Sequence, residues 1–256
     1  MPAFVFTEAG LSMAIWAIIP AAGVGTRMQT AEPKQYLQIN GQAVLAHAIA
    51  RLGAVAAVER IVVALHPQDD RWEALGLQTG PRLQTCAGGA DRCHSVLNAL
   101  NVLREHAKED DWVLVHDAVR PCVSVGDIER LLAEVADHPI GGLLAVPVSS
   151  TLKKAGPDGN VSATVDRTHL WQAGTPQVFR YELLHTALTE AIAAGALVTD
   201  EASALELAGF APRLVRGRAD NIKITYPEDL LLARLILAAQ GLEEQSVEEP
   251  VLEKQK

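Results

Sequence analysis

The chain has 256 residues, 49% of them hydrophobic, and a formal net charge of -9. That length supports one full α/β core within a single domain, 1–256, while the acidic balance excludes a general attraction for nucleic acid or an anionic membrane surface. Cys86, Cys93 and Cys122 show no C-x-x-C spacing and no secretion signal precedes them, so they read as reduced thiols of a cytoplasmic protein.

Met1 to Ser12 lack a basic n-region and read as a dispensable extension; the apolar stretch that follows is too short to span a bilayer. Ile15 to Ile19 is a buried strand, rich in β-branched residues, that stops at Pro20, which cannot continue a ladder. Beyond it Ala21, Ala22, Gly23 and Gly25 leave little side-chain bulk, so backbone N–H groups can approach an anion. A dinucleotide loop is the first comparison, but Met28 stands where its third glycine belongs, and Arg27 and Lys34 add two cations. No Gly-Lys-Ser/Thr follows, which removes the Walker loop. Two cations beside a glycine loop suit a triphosphate; an ordinary strand-to-helix turn with two surface charges is the plainer alternative.

Val44 to Leu52 has helical spacing, and Arg60 to Leu65 is a second strand. Asp69 can cap a short helix through Leu75, Leu83 to Cys86 is a third strand, and Asp91 to Leu103 is a helix with Val96, Leu97, Leu100 and Leu103 on one side. Trp112 to His116 is a fourth strand, nearly all apolar, as expected with both faces covered. Ser124 caps a helix from Val125 to Val135, and Gly142 to Val146 is a fifth strand. Alternating strands and helices predict a doubly wound, mostly parallel sheet with ligands at the strands' carboxyl ends, on the loops after strands one, three and four.

The alternation then breaks. Residues 148–174 carry two extended runs, Ser149 to Ala155 and Val161 to Arg167, around Gly156-Pro157-Asp158-Gly159-Asn160, which predicts a protruding β-hairpin arm. A lone hairpin is marginal, so this one needs a surface to pack on, such as a second subunit. Tyr181 to Ala194 and Asp200 to Leu207 are helices, Arg213 to Arg216 and Asn221 to Ile224 are strands, and Thr225 to Glu228 has capping-box spacing before a last helix, Asp229 to Ala239. Residues 241–256 form an acidic tail that reads as solvated.

Pro-Ala-Ala-Gly-x-Gly-x-Arg-Met from Pro20 and Pro-Lys-Gln-Tyr from Pro33 resemble the 2-C-methyl-D-erythritol 4-phosphate cytidylyltransferase family. Five further stretches match its pattern: Gly88 to Ser95, His116 to Pro121, the arm with Thr175-Pro176-Gln177, Thr199 to Glu201, and Asp220 to Thr225. The resemblance implies that Pro20, Ala21, Ala22, Gly23 and Gly25 cradle the phosphates of CTP, and that the backbone of Gly89 and Ala90 with the Ser95 hydroxyl reads cytosine. It implies that Asp117 and Ala118 lie beside the ribose and the second substrate, and that Arg120, Thr175, Thr199 and Lys223 hold that substrate. Thr151 and Arg167 would reach the neighbouring subunit of a homodimer. From the residues alone Asp117 stays open between a substrate contact, a helix cap and a metal ligand, Lys223 looks like a solvated edge charge, and His116 like a packed strand end.

The implied reaction is attack of a sugar-alcohol phosphate oxygen on the α-phosphorus of CTP, releasing pyrophosphate. Such a nucleophile carries about -1.5 to -2 charges already, so it needs no general base, only alignment and relief of repulsion. Arg27, Lys34, Arg167 and Lys223 are the catalytic candidates, with Mg²⁺ held by the CTP phosphates or by Asp117. The competing readings are a ribitol 5-phosphate or sugar 1-phosphate nucleotidyltransferase and, from another class, an NAD-dependent reductase. The reductase lacks support after the second strand, where His66-Pro67 replaces a ribose-binding acid.

Overall fold

The computed structural model describes residues 13–23 and 32–248, with side chains to residue 241. Met1 to Ser12, Gly25 and Arg27 of the phosphate loop, and the side chains of the acidic tail lie outside the described residues. In chain order the elements are β1 (Ile15–Pro20), a 3₁₀ turn (Lys34–Tyr36), β2 (Gln38–Ile39), β3 (Gln42–Ala43), α1 (Val44–Gly53), β4 (Val58–Leu65), a second 3₁₀ turn (Glu73–Leu75) and β5 (Leu83–Ala87). Then come α2 (Arg92–Leu103), β6 (Trp112–Val115), α3 (Val125–Val135), β7 (Gly141–Pro147), β8 (Leu152–Ala155), β9 (Val161–Val165) and β10 (Trp171–Arg180). They are followed by α4 (Tyr181–Ala193), α5 (Glu201–Leu207), β11 (Arg213–Arg216) and α6 (Pro227–Glu248).

Among the described residues a seven-stranded sheet runs β11-β7-β10-β6-β1-β4-β5. β1 pairs in parallel with β4 on one side and β6 on the other. The chain therefore builds outward through β4 and β5, then returns across β1 to β6, which leaves a crevice beyond the carboxyl ends of β1 and β6. The alternation of β1 sorts its side chains between two cores. Ala17 and Ile19 pack with residues of α1 and α3, while Trp16 and Ile18 pack with residues of α2, α4 and α5. Both sets are almost wholly buried, which explains why β1 reads as an unbroken apolar run.

The mostly parallel, doubly wound sheet is present, with corrections. Pattern alone predicts no strand from Trp171 to Arg180, yet β10 lies antiparallel between β6 and β7. Gly174 and Pro176 hide it, and its pairing with β7 shifts register between Ala173 and Gln177, where a proline has no N–H for the ladder. Asn221 to Ile224 is not a strand. It is irregular backbone tied by the Ile224 N–H to the Val119 carbonyl at 2.9 Å, and the Ile224 side chain is buried, which imitates a strand's alternation. Asp69 caps a turn rather than a full helix, its Oδ1 accepting from the Arg71 and Trp72 N–H groups. At α6 the side chain reaching back is Asp229, not Glu228: its Oδ2 accepts from the N–H groups of Thr225 and Tyr226 at 2.8 Å. The Ser124 cap is as expected, accepting from Asp127 N–H.

The arm is present and shorter than predicted. Every residue of β9 is exposed, as are three of the four in β8, and Gly159 turns the hairpin with φ +79. Among the described residues no helix is long and apolar enough to cross a membrane.

Candidate active site

Three loops meet above the switch point. The loop after β1 brings Pro20, Ala21, Ala22 and Gly23 to a mouth of about 160 Å³. Gly89, Ala90 and Ser95 enter from the loop after β5, and Asp117 and Ala118 from the end of β6. Gly88 permits the first two loops to touch: a Cβ there would stand 2.5 Å from the Ala22 Cβ. Lys34 and Lys223 line the same mouth, and the Lys34 Nζ donates to the Ile224 carbonyl at 3.2 Å across 190 positions of sequence.

The 3₁₀ turn that carries Lys34 is itself bolted to the phosphate loop. Buried Gln35 donates its amide N–H groups to the carbonyls of Ala21 at 2.8 Å and Gly23 at 3.0 Å. Those two bonds tie the backbone after β1 to the turn that carries Lys34. On the β5 side, Ser95 Oγ accepts from the Gly89 N–H at 3.0 Å and donates to the Asp91 carbonyl at 3.2 Å. Gly89 and Ser95 are thus brought together as expected, but they are bonded to each other, so the hydroxyl shapes the turn as well as facing the cavity.

Asp117 is the electrostatic centre. Its Oδ2 sits 2.9 Å from Lys223 Nζ and 3.4 Å from Arg120 Nε, and its Oδ1 accepts from Arg92 Nε at 3.0 Å. Burial opposes ionisation of this carboxyl, but Arg92, Lys223 and Arg120 outweigh it and hold it well below the usual carboxylate range. Lys223 is therefore an ion-paired residue of the mouth, not the solvated edge charge that pattern suggests. Arg92 also grips fully buried Glu201 through a two-pronged pair of 2.6 and 2.9 Å. Burial works against the guanidinium, yet Glu201 and Asp117 raise its pKa, so it stays charged.

Beneath the mouth runs a neutral chain. The Asp117 N–H donates to Thr175 Oγ1 at 3.1 Å, which lies 3.0 Å from His116 Nδ1, while His116 Nε2 lies 3.0 Å from the Arg120 carbonyl. The carbonyl can only accept, which assigns the proton to Nε2 and makes Nδ1 the acceptor of the Thr175 hydroxyl. Burial lowers the His116 pKa to about 4. His116 is the packed residue expected, but it also holds a backbone N–H in place.

A second cavity of about 280 Å³ adjoins the first, sharing Lys223 and adding Arg120, Arg218 and Asn221. Arg120 donates from Nη1 to the Asn221 carbonyl at 2.7 Å. Not every candidate enters. Thr175 is 3% exposed and lies behind the mouth rather than on it. Thr199 is exposed near the start of α5, its N–H donating to Ser203 Oγ. Thr151 and Arg167 stand on the exposed arm, where the Arg167 guanidinium bonds the carbonyls of Val148 and Ser149. None of these four lines either cavity of its own chain.

Sequence reasoning passed over Gln35, Arg92 and Glu201. All three stand inside the quoted motifs, so their place in those motifs was the available clue. Among the described residues no three His, Cys, Asp or Glu side chains converge as a metal cage, and both oxygens of Asp117 already face cations.

Residues 15–239 match the family model described as IspD, 2-C-methyl-D-erythritol 4-phosphate cytidylyltransferase. The protein of that name from Pseudomonas entomophila is 53% identical over 218 residues, 85% of this chain and 93% of the relative. A crystal structure of a 4-diphosphocytidyl-2C-methyl-D-erythritol synthase aligns with a TM-score of 0.77 at 40% identity, covering 89% of this chain and 100% of the other. The Francisella tularensis 2-C-methyl-D-erythritol 4-phosphate cytidylyltransferase aligns with a TM-score of 0.76 at 37% identity, covering 87% and 99%.

Proposed function

The chain belongs to the 2-C-methyl-D-erythritol 4-phosphate cytidylyltransferase family and moves CMP from CTP to that acceptor, and we propose that the mouth takes CTP while the adjoining cavity takes the acceptor phosphate. The observation that carries this division is the position of Lys223, which lines both cavities. A cation there faces the acceptor phosphate on one side and the α-phosphate on the other.

The residues then act as follows. Backbone amides after β1 and the Lys34 ammonium receive the triphosphate, and Lys34 offsets charge that grows on the leaving pyrophosphate. Arg27 is assigned to the same task from its motif. Arg120 and Lys223 hold the acceptor phosphate and reduce its repulsion from the nucleotide, so that an oxygen already anionic meets phosphorus in line. Asp117 keeps those two cations aimed when the site is empty. Gly89, Ala90 and Ser95 form the turn against which the cytosine edge is read; a wrong base leaves buried polar groups unpaired there. Mg²⁺ would be held by the triphosphate oxygens and would offset their charge there, Asp117 being already engaged by Arg92, Arg120 and Lys223.

Thr151 and Arg167 serve through a homodimer in which each arm covers the partner's acceptor cavity. The arm supports this by what it exposes: Val161 is 65% accessible and Trp171 37%. CTP-dependent release of pyrophosphate tests the assignment, run side by side with methylerythritol phosphate and ribitol 5-phosphate. Faster turnover with ribitol 5-phosphate overturns it.

A further inference from the structure

Glu201 opens α5 with a side chain 1% exposed, out of reach of a molecule in either cavity. Its carboxylate engages both terminal nitrogens of Arg92, Nη1 at 2.6 Å and Nη2 at 2.9 Å. A guanidinium is a rigid plane, so fixing two of its nitrogens sets the direction of the third. That third nitrogen, Nε, meets Asp117 Oδ1 at 3.0 Å. Asp117 is thereby turned so that Oδ2 faces Lys223 at 2.9 Å and Arg120 at 3.4 Å. The far end of this chain is anchored in turn. Asp200 and Ser203 form a capping box around Glu201, and Gln177 of β10 both donates to Asp200 Oδ2 and accepts from the Ala202 N–H, each at 2.9 Å.

Resting on the reading that Lys223 and Arg120 hold the acceptor phosphate, we propose that Glu201 is a positioning residue for the acceptor half of the reaction, acting through Arg92 and Asp117. Three cations share two carboxylates in this cluster. Without the Glu201 charge, the Arg92 fork has one carboxylate left and closes on both oxygens of Asp117. Lys223 and Arg120 then lose the oxygen that aims them. Arg92 and Asp117 also line the mouth, but the nucleotide keeps the loop after β1 and the turn bonded to it by Gln35. The acceptor cavity loses the aim of both its cations, Arg120 and Lys223, so the acceptor half bears the larger loss.

Steady-state kinetics of Glu201→Gln, Arg92→Met and the double variant test this. In Glu201→Gln the KM for methylerythritol phosphate rises about tenfold while the KM for CTP stays within about twofold, the split expected when one substrate's contacts are lost. In the Arg92→Met background, Glu201→Gln adds nothing further, because its route to Asp117 is gone. If the single variant does not fold, the double variant decides alone by the same split of KM values, since it removes the buried charge of Glu201 together with its Arg92 partner and leaves neither unpaired. Equal rises in both KM values, or a further tenfold rise in the double variant, overturn the inference while leaving the assigned reaction intact. A wild-type chain that releases no pyrophosphate from CTP overturns both.

Discussion

The mouth and the arm are built from similar residues and behave oppositely. In the mouth and the adjoining cavity the central charged side chains are met by partners from distant parts of the chain: Arg92 by Glu201, 109 positions away, and Arg120 by the Asn221 carbonyl, 101 positions away. In the arm, Arg167 bonds carbonyls at its own base, and the side chains of β9 point to solvent. A charge held by long-range contacts stiffens a site within one subunit. A charge at the base of an exposed ribbon, bonded only to nearby carbonyls, ties the ribbon to nothing beyond itself. The contrast separates the contacts that one chain completes from those that, in the proposed homodimer, it would leave for a partner.

The largest effect that sharpens this contrast is expected at Asp117. Asp117→Ala leaves Arg92, Arg120 and Lys223 crowded without their shared counter-ion, and breaking a buried pair by removing one member costs about 3–5 kcal/mol. Lys223 is 39% exposed on its side chain, so the lower end applies. Denaturant unfolding measures it, and a loss near zero would mean that solvent screens the cluster as it screens the arm. Next comes Lys34→Ala, where turnover falls by roughly 10²–10³, about 2.7–4 kcal/mol, as for loss of one oxyanion donor. Near-normal kcat would remove Lys34 from the chemistry.

The third effect is one of pH. With a folded pKa near 4 against an ordinary 6.5, His116 stays neutral in the folded chain while the unfolded chain takes up a proton first. Stability is therefore lost as pH falls from about 6.5 to about 4, by about 3 kcal/mol in all. Asp117 does not contribute within that window, since its carboxyl is depressed and gives way only in stronger acid. The difference between wild type and His116→Gln in unfolding free energy isolates the histidine. A difference that stays constant from pH 7 to pH 4 would contradict the burial of a neutral ring.

Local pattern made much of this legible. β1, β4, β5, β6 and β7 stand within a few residues of where apolar runs put them, and Pro20 to Gly23, Lys34 and Lys223, from motifs far apart in the chain, line one mouth. What stayed hidden depends on partners far along the chain. β10 carries a glycine and a proline that break its run, and it is a strand only because β6 and β7 flank it. Arg92 looks like any cation at a helix start, and Glu201 like any acid in a first turn. Their pairing across α2 and α5 is a property of packing, which no periodicity encodes.

The smallest effect on stability, and the sharpest test of the contrast, is at Arg167. Arg167→Lys changes the unfolding free energy by less than about 0.5 kcal/mol, the range for exposed positions, because the side chain's bonds in its own subunit are to exposed backbone carbonyls. Turnover nevertheless falls and the KM for methylerythritol phosphate rises, since an ammonium cannot reproduce the two-pronged grip of a guanidinium on phosphate. Kinetics and unfolding on the same preparation decide the matter. A loss of stability with unchanged kinetics would make the arm a support for its own chain, and the division of labour between mouth and arm would disappear.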